Sequence, residues 1–175
     1  LPDGDYRVVV DAADADLPQD AFGNVFYPTT ATTNDATIAN GSTYLDADFG
    51  FAPYAAIGDT IFWGANRNGT QDYSEEGVPG ATVNLYVDVN GDGFYDAGDV
   101  FVTSAVTDAD GLYLFDGLAP SNYVVVVDGA SGPLAGAFLS ADPDSNGLTC
   151  EDLDVPQPCD GQHGRSLVNG QNYMG

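Results

Sequence analysis

A segment at the start of this chain is repeated beyond its middle. Residues 1–11 and 118–128 share an opening leucine, a tyrosine five residues later, a run of valines and a closing aspartate. Each copy is later followed by an Asn-Gly segment, at 40–45 and at 169–174. Because a repeated sequence indicates a repeated structural unit, the chain is expected to contain parts of two related modules. We assign 1–53 to the C-terminal strands of a preceding module, or to a donor segment, 54–56 to a linker, and 57–175 to a module lacking its last strand.

The spacing of apolar residues predicts β-strands, and helical periodicity is hard to find. Tyr6, Val8 and Val10 alternate with Arg7 and Val9, as the residues of a half-buried strand do. Further strands are predicted at 43–51, 59–63, 82–87, 99–106, 112–115 and 123–127. Clusters of Gly, Pro, Asn and Asp separate these short runs, which favours an all-β fold built as an antiparallel sandwich.

Charge excludes several classes of partner. The chain has 3 Lys and Arg against 27 Asp and Glu, a net charge of −24, and contains no lysine. Such a surface repels phosphate backbones and anionic membranes, so we expect no nucleic-acid partner, and no run of about 18 apolar residues predicts membrane insertion. With 43% hydrophobic residues the chain should nevertheless fold, and divalent cations are expected to offset its self-repulsion.

An acidic loop places oxygen side chains at the spacing of a calcium-binding loop. In the helix-flanked form of such a loop, positions 1, 3, 5, 9 and 12 present side-chain oxygens, position 7 gives a carbonyl, and glycine at position 6 allows the turn. Here Gly93 is that glycine, and the ligand positions are Asp88, Asn90, Asp92, Phe94, Asp96 and Asp99. Asn-Gly and Asp-Gly runs also occur as simple turns, which is the alternative interpretation.

A second loop upstream follows the same frame. Its ligand positions are Asn66, Asn68, Thr70, Asp72 and Glu75, while Gly64 at the first position supplies no side-chain oxygen. Asp108 and Asp110 precede a glycine in a predicted hairpin turn, where backbone demands alone explain them. The alternative is that they complete the calcium shell of the Asp88 loop, since a carboxylate from an adjacent turn often does so.

Three further sites are predicted from short patterns. Cys150 and Cys159 lack the partner spacing of a zinc site, so a local disulfide in an oxidising compartment is the expected use. Asn40 begins an Asn-Gly-Ser glycosylation pattern. His163 is the single histidine, and no Ser or Cys has a recognisable base partner, so we expect no enzymatic activity.

Longer motifs resemble those of a known family. Segments 57–63, 66–72, 76–83 and 107–115, together with the Asp-Phe-Gly-Phe ending at 48–51, are similar to the B-type repeats of serine-aspartate repeat surface adhesins. The resemblance implies a secreted, calcium-stabilised, collagen-adhesin-B-like module, an Ig-like or prealbumin-like β-sandwich used in tandem on microbial cell surfaces. Gly64 stands where the family usually has Asp, which implies a weaker first calcium site. A lysine-dependent isopeptide crosslink cannot form within this chain.

These patterns together predict a structural protein. We expect a repeat or subunit of an extracellular, calcium-stabilised fibre, stalk or adhesin, whose partners are neighbouring copies or modules of the same protein. The closing strands of 1–53 could complete a neighbour's open module and so give a head-to-tail filament. The alternative is an adhesive module that recognises a host protein or carbohydrate through the long loop 129–168.

Overall fold

The computed structural model describes residues 1–68, 70–137, 161–168 and 170–174. Within these residues it contains eleven β-strands and one short 3-10 helix, at Gly132–Leu134. The strands are β1 Gly4–Val9, β2 Tyr27–Pro28, β3 Thr33–Ile38, β4 Phe51–Ala52, β5 Ala55–Thr60, β6 Thr82–Val87, β7 Val100–Val106, β8 Leu112–Leu118, β9 Asn122–Val127, β10 Gln162–Ser166 and β11 Asn172–Met174. None of the described segments forms a helix long and apolar enough to cross a membrane.

The chain divides into two compact units, Leu1–Tyr54 and Ala55–Gly175. The second unit contains a four-stranded sheet in the order β10-β9-β6-β7 and a three-stranded sheet in the order β11-β5-β8. Both sheets contribute side chains to one core, because Leu85 and Val125 from the first cluster with Ile57 and Phe115 from the second. The predicted all-β, Ig-like sandwich is therefore confirmed.

Almost all strand pairs in the second unit are antiparallel. The exception is β11, which runs parallel to β5 with Asn172 opposite Ala56 and Tyr173 opposite Ile57. Arg165 of β10 lies over the ring of Tyr173, 5.1 Å from its centroid, and this cation–π contact links the edge strands of the two sheets.

The first unit is built from two short antiparallel pairs. β1 pairs with β3 along its whole length, from Gly4 opposite Ile38 to Val9 opposite Thr33, and β2 pairs with β4. A bidentate ion pair between Arg7 and Asp35 crosses the first pair, with nitrogen–oxygen distances of 2.6 and 2.8 Å.

The repeat in the sequence is also a repeat in structure. The Tyr6 hydroxyl donates to the carbonyl of Pro2 at 2.7 Å, and the Tyr123 hydroxyl donates to the carbonyl of Ala119 at 2.8 Å. Each tyrosine thus closes back on the residue four positions before it. In both units the strand that follows this closure pairs antiparallel with a later strand, β1 with β3 and β9 with β10.

Three predicted segments differ in the structure. The strand predicted at 59–63 forms only at Asp59 and Thr60, the last two residues of β5. The strand predicted at 43–51 is wrong except at Phe51, because 43–50 form no strand. The predicted linker 54–56 is also corrected, since Ala55 and Ala56 are buried residues of β5. A strand that is buried on both faces has no alternation of apolar and polar residues. The two small side chains therefore did not show the pattern of a half-buried strand. The assignment of 1–53 to a preceding module stays a prediction.

Thr107 connects the end of β7 to the core. It is 5% exposed, its hydroxyl donates to the carbonyl of Val78 at 2.6 Å, and it accepts from the amide of Ala81 at 2.9 Å. We expect Thr107→Val to lower the free energy of unfolding by about 2–3 kcal/mol, because two buried backbone groups lose their partner. Urea unfolding measures the change. Thr103→Val, at an exposed position of β7, is the control, and equal losses in both variants would contradict the prediction.

Candidate metal-binding loops

The Asp88 loop joins β6 to β7, and its first residue is already fixed by backbone contacts. The Asp88 side chain is 5% exposed and accepts from the amides of Gly91 at 2.6 Å and Gly93 at 2.9 Å. Both glycines have positive φ, at 73° and 84°, a region that side chains disfavour. The loop therefore turns tightly around the Asp88 carboxylate.

The middle of the loop places an amide between two carboxylates. Asn90 accepts from the Asp92 amide at 3.0 Å, and Asp92 accepts from the Phe94 amide at 2.9 Å. The Asn90 side-chain nitrogen donates to Asp92 and to Asp96, each at 2.9 Å. In Asp92 and in Asp96, one carboxylate oxygen accepts from a backbone amide of the loop, and the other accepts from the side-chain nitrogen of Asn90.

Asp99 closes the loop from its far end. One of its oxygens accepts from the Val89 amide at 3.1 Å and the other accepts from the Asp96 amide at 2.9 Å. Asp96 in turn accepts from the Gly98 amide at 2.6 Å. The first and last parts of the loop are thereby brought together by a single carboxylate.

The second loop repeats this hydrogen-bond frame. Asn66 accepts from the Asn68 amide at 3.0 Å, and Asn68 accepts from the Thr70 amide at 2.9 Å. The buried Glu75 closes the loop by accepting from the amides of Asn66 at 3.2 Å and Asp72 at 3.0 Å. The Asp72 carboxylate accepts from the side-chain amides of Asn66 and Asn68. Four of these six contacts join the same loop positions as a contact in the Asp88 loop. The other two differ, because Glu75 accepts from the third position where Asp99 accepts from the second, and the contact between Asn68 and Asp72 has no counterpart between Asp92 and Asp96.

The structure does not bring Asp108 and Asp110 to the Asp88 loop. They follow β7, whereas that loop precedes it, and the seven residues of the strand span roughly 20 Å. The Asp108 carboxylate accepts from the amides of Asp110 at 2.9 Å and Leu112 at 3.0 Å, which is turn geometry. The carbonyl of Asp110 instead lies against Gly77, just after the end of the second loop.

The Asp88 loop also packs on the outer face of the four-stranded sheet. The Tyr95 ring packs against Tyr86 of β6 with centroids 4.4 Å apart and a tilt of 43°, and the Tyr95 amide donates to the side chain of Gln162 in β10 at 2.5 Å. Burial, with Tyr95 alongside, raises the pKa of Tyr86. A Cβ added to Gly164 of β10 would lie 2.5 Å from Gly93. The loop thus contacts both the strand it leaves and a strand distant in sequence.

Sequence reasoning missed Gln162 and Gly164. Neither residue belongs to a recognisable motif, and Gln162 is 67 positions from Tyr95. Only the sheet order, which places β9 between β6 and β10, brings them to the loop.

The donor set of both loops is made of oxygen atoms. Carboxylates, side-chain amide oxygens and a backbone carbonyl suit a hard cation such as Ca²⁺, and no thiol or imidazole lies at a ligand position. Across the described ranges no three His, Cys, Asp or Glu side chains converge as a preassembled metal cluster. In the Asp88 loop the carboxylates are held by backbone and side-chain amide donors, and the residues fit Ca²⁺ in donor type.

Other predicted sites have different outcomes. Cys150 and Cys159 lie outside the described residues, as does most of the recognition loop predicted at 129–168. Asn40 is exposed in the turn after β3 and has a positive φ of 52°. Its glycosylation stays a prediction.

Comparisons with known proteins identify similar sequences. The family model described as SdrD B-like domain matches residues 55–154. Serine-aspartate repeat-containing protein D of Staphylococcus aureus is 33% identical over 162 residues, covering 85% of this chain and 11% of that protein. Serine-aspartate repeat-containing protein F of Staphylococcus epidermidis is 29% identical over 160 residues, covering 89% and 9%. The chain thus spans about a tenth of the length of these relatives.

A solved structure is also similar. It is the backbone protein of pilus 2b from group B streptococcus, with 14% sequence identity and a TM-score of 0.38, and the match covers 82% of this chain and 46% of that one.

Proposed function

This chain belongs to the SdrD B-like domain family, and we propose that it is a structural module of an extracellular microbial surface fibre, stalk or adhesin whose fold is stabilised by Ca²⁺. The resemblance found in the sequence is confirmed by the family match. One observation carries the proposal beyond the family. Two loops of different sequence, 64–75 and 88–99, form nearly the same hydrogen-bond frame around their oxygen-bearing side chains.

The agreement between the two loops supports ligand binding over simple turn formation. A turn needs one or two backbone contacts, whereas each loop also returns an acidic residue from its last position to amides nearer its start, Asp99 in one and Glu75 in the other. In the calcium loop frame this last residue grips the ion with both oxygens. The shared closing contact supports the proposal that both loops are built around a bound ion.

The ligands in the Asp88 loop would be carboxylate, amide and carbonyl oxygens. Asp88, Asn90, Asp92, Asp96 and the carbonyl of Phe94 would hold the ion, with Asp99 closing the shell. Ca²⁺ would supply positive charge among carboxylates that otherwise repel one another. The side chains themselves orient the loop, since each carboxylate already accepts from a backbone amide.

The loop is placed to transmit this stabilisation to the sheet. Tyr95 packs on β6 and its amide donates to Gln162 of β10, so a rigid loop holds two strands at once. A metal that binds only the folded loop stabilises the folded unit by mass action. The role we propose for the metal is structural, and the chain is not proposed to be an enzyme.

Thermal unfolding with and without Ca²⁺ tests the proposal. Excess Ca²⁺ is expected to raise the melting temperature of the chain by roughly 10 °C over the same sample in EGTA, for a concentration about 100-fold above Kd. Mg²⁺ at equal concentration is the control, and its effect should be smaller because it demands octahedral geometry. Identical melting curves in Ca²⁺ and EGTA would refute the calcium role.

A further inference from the structure

A cluster of three aromatic rings lies on the outer face of the four-stranded sheet. The centroid of the Tyr86 ring is 4.4 Å from that of Tyr95 and 5.6 Å from that of Phe101. Phe101 is 55% exposed and Tyr95 is 43% exposed, although phenylalanine is among the residues most often fully buried. Two large rings in contact with Tyr86 therefore remain open to solvent.

A β-bulge brings Phe101 into this ring cluster. Phe101 and Ser104 are three positions apart in β7, and in a regular strand that spacing would place their side chains on opposite faces. The pairing of β6 with β7 shifts between Leu85 and Tyr86, so Phe101 lies opposite Tyr86 while Ser104 lies opposite Asn84. Both side chains are therefore on the outer face. Bulges often occur next to functional sites, where they redirect a side chain.

A polar pair lies beside the ring cluster. The Ser104 hydroxyl donates to the side-chain oxygen of Asn84 at 2.6 Å. The side-chain nitrogen of Asn84 has no hydrogen-bond partner among the described residues, so both of its hydrogens are available. Because Asn84 and Tyr86 are two positions apart in β6, the pair lies roughly 7 Å from the rings. A small ligand that covers the rings therefore reaches unpaired amide donors.

This face carries no charged side chain. The outward-facing residues of β6 and β7 are all apolar, aromatic or neutral polar: Thr82, Asn84, Tyr86, Phe101, Ser104 and Val106. The chain as a whole has a net charge of −24, which repels anionic ligands at long range. A neutral ligand approaches the face without that repulsion, so charge selects against sulfated or carboxylated ligands.

We propose that the ring cluster and the polar pair together bind a neutral saccharide. A sugar ring places its C–H groups against the negative face of an aromatic ring, here Phe101, and turns its hydroxyls toward the polar pair. Asn84 donates to a sugar oxygen, and the Ser104 oxygen accepts from a sugar hydroxyl. This inference adds a binding activity to the structural module proposed above. It places that activity on β6 and β7 rather than in the loop 129–168.

The mixture of rings and unpaired donors favours a saccharide over the apolar surface of another protein. An apolar partner would bury the Asn84 donors without a hydrogen-bond acceptor, which costs free energy. A saccharide presents C–H groups and hydroxyls on the same ring, so it covers the aromatic side chains and also pairs with the amide. Apolar contact with a few placed polar groups is the usual composition of a small-ligand site.

NMR titration of the whole chain with cellohexaose, laminarihexaose and chitohexaose tests the inference. At least one of these neutral saccharides is expected to shift the backbone amides of the outer face: Asn84, Tyr95, Phe101 and Ser104. Phe101→Ala should weaken binding by at least about tenfold, because a stacked ring is lost. Val106→Ala is the matched control, since it removes an exposed apolar side chain from the same face of the same strand and should bind as the parent does.

Asn84→Asp separates the polar contact from the stacking. The variant keeps an acceptor for the Ser104 hydroxyl but loses the amide donors, so it should also weaken binding. The shift map of the parent chain and this variant decide the outcome if Phe101→Ala does not fold.

Several results would overturn the inference. They are the absence of shifts with all three saccharides at about 10 mM, shifts confined to residues away from this face, and parental affinity in folded Phe101→Ala. Binding of a decaproline peptide in place of the saccharides would assign the rings to a protein ligand instead. An anionic galacturonate oligomer that bound as well as the neutral saccharides would contradict the role of charge. The calcium effect on melting is measured without saccharide, so the structural proposal and this one can fail independently.

Discussion

Asp88→Ala is expected to lower the free energy of unfolding of the second unit by about 3 kcal/mol in Ca²⁺ and to remove most of its calcium response. The buried carboxylate accepts from two backbone amides and occupies the first ligand position. Its loss leaves both amides without their acceptor and removes one charge from the proposed ion site. Urea unfolding followed by the fluorescence of Trp63, the single tryptophan, measures both effects.

Two variants separate the causes of that loss. Asp116→Ala removes the same charge from an exposed position of β8 and should change stability by less than about 0.5 kcal/mol. Asp88→Asn retains an acceptor for the loop amides, so it should keep more stability than Asp88→Ala in EGTA but still lose calcium affinity. A calcium response of parental size in Asp88→Ala would show that this loop is not the site of stabilisation.

Gly77→Ala is expected to destabilise the second unit by about 3 kcal/mol for a steric reason. A Cβ at this position would lie 1.8 Å from the carbonyl oxygen of Asp110 and 2.3 Å from its carbon. The opposing atoms are backbone and cannot rotate away. Gly111 beside them is equally confined, because its own Cβ would lie 2.3 Å from the carbonyl oxygen of Ile61.

The measurement is again urea unfolding, and Gly129→Ala is the matched control. No atom lies within 4 Å of a Cβ built on Gly129, so that variant should keep the parental stability. If Gly77→Ala unfolds at the same urea concentration as Gly129→Ala, the close approach of Gly77 to the Asp110 turn does not limit stability.

The strands and loops that could be predicted from sequence are those with a local cause. Alternation at 82–87 and 123–127 and the Asx contacts of Asp88 and Asn90 involve residues close in the chain. Because these contacts form within a few positions, residue spacing alone reveals them.

The prediction of a strand at 43–51 failed because strand formation depends on residues outside that segment. Its counterpart in the repeat is β11, which forms a strand by pairing with β5. Residues 1–54 contain no equivalent of β5, so the same pattern has no partner and stays irregular. The contact between Tyr95 and Gln162 could not be predicted from the sequence for a similar reason, since it depends on the order of the strands in the sheet. Strand propensity is local, whereas a strand needs a neighbour.

The parallel pairing of β5 with β11 has a mechanical consequence. β5 opens the second unit at Ala55 and β11 reaches Met174 near its end, with the two strands directly hydrogen-bonded. Tension applied at these two points pulls the strands along their axes in opposite directions, so their hydrogen bonds are loaded together in shear rather than opened one at a time. The cation–π contact of Arg165 with Tyr173 also connects β11 to β10 through side chains. Force applied at Ala55 and Met174 therefore passes between these two points across a single strand pair.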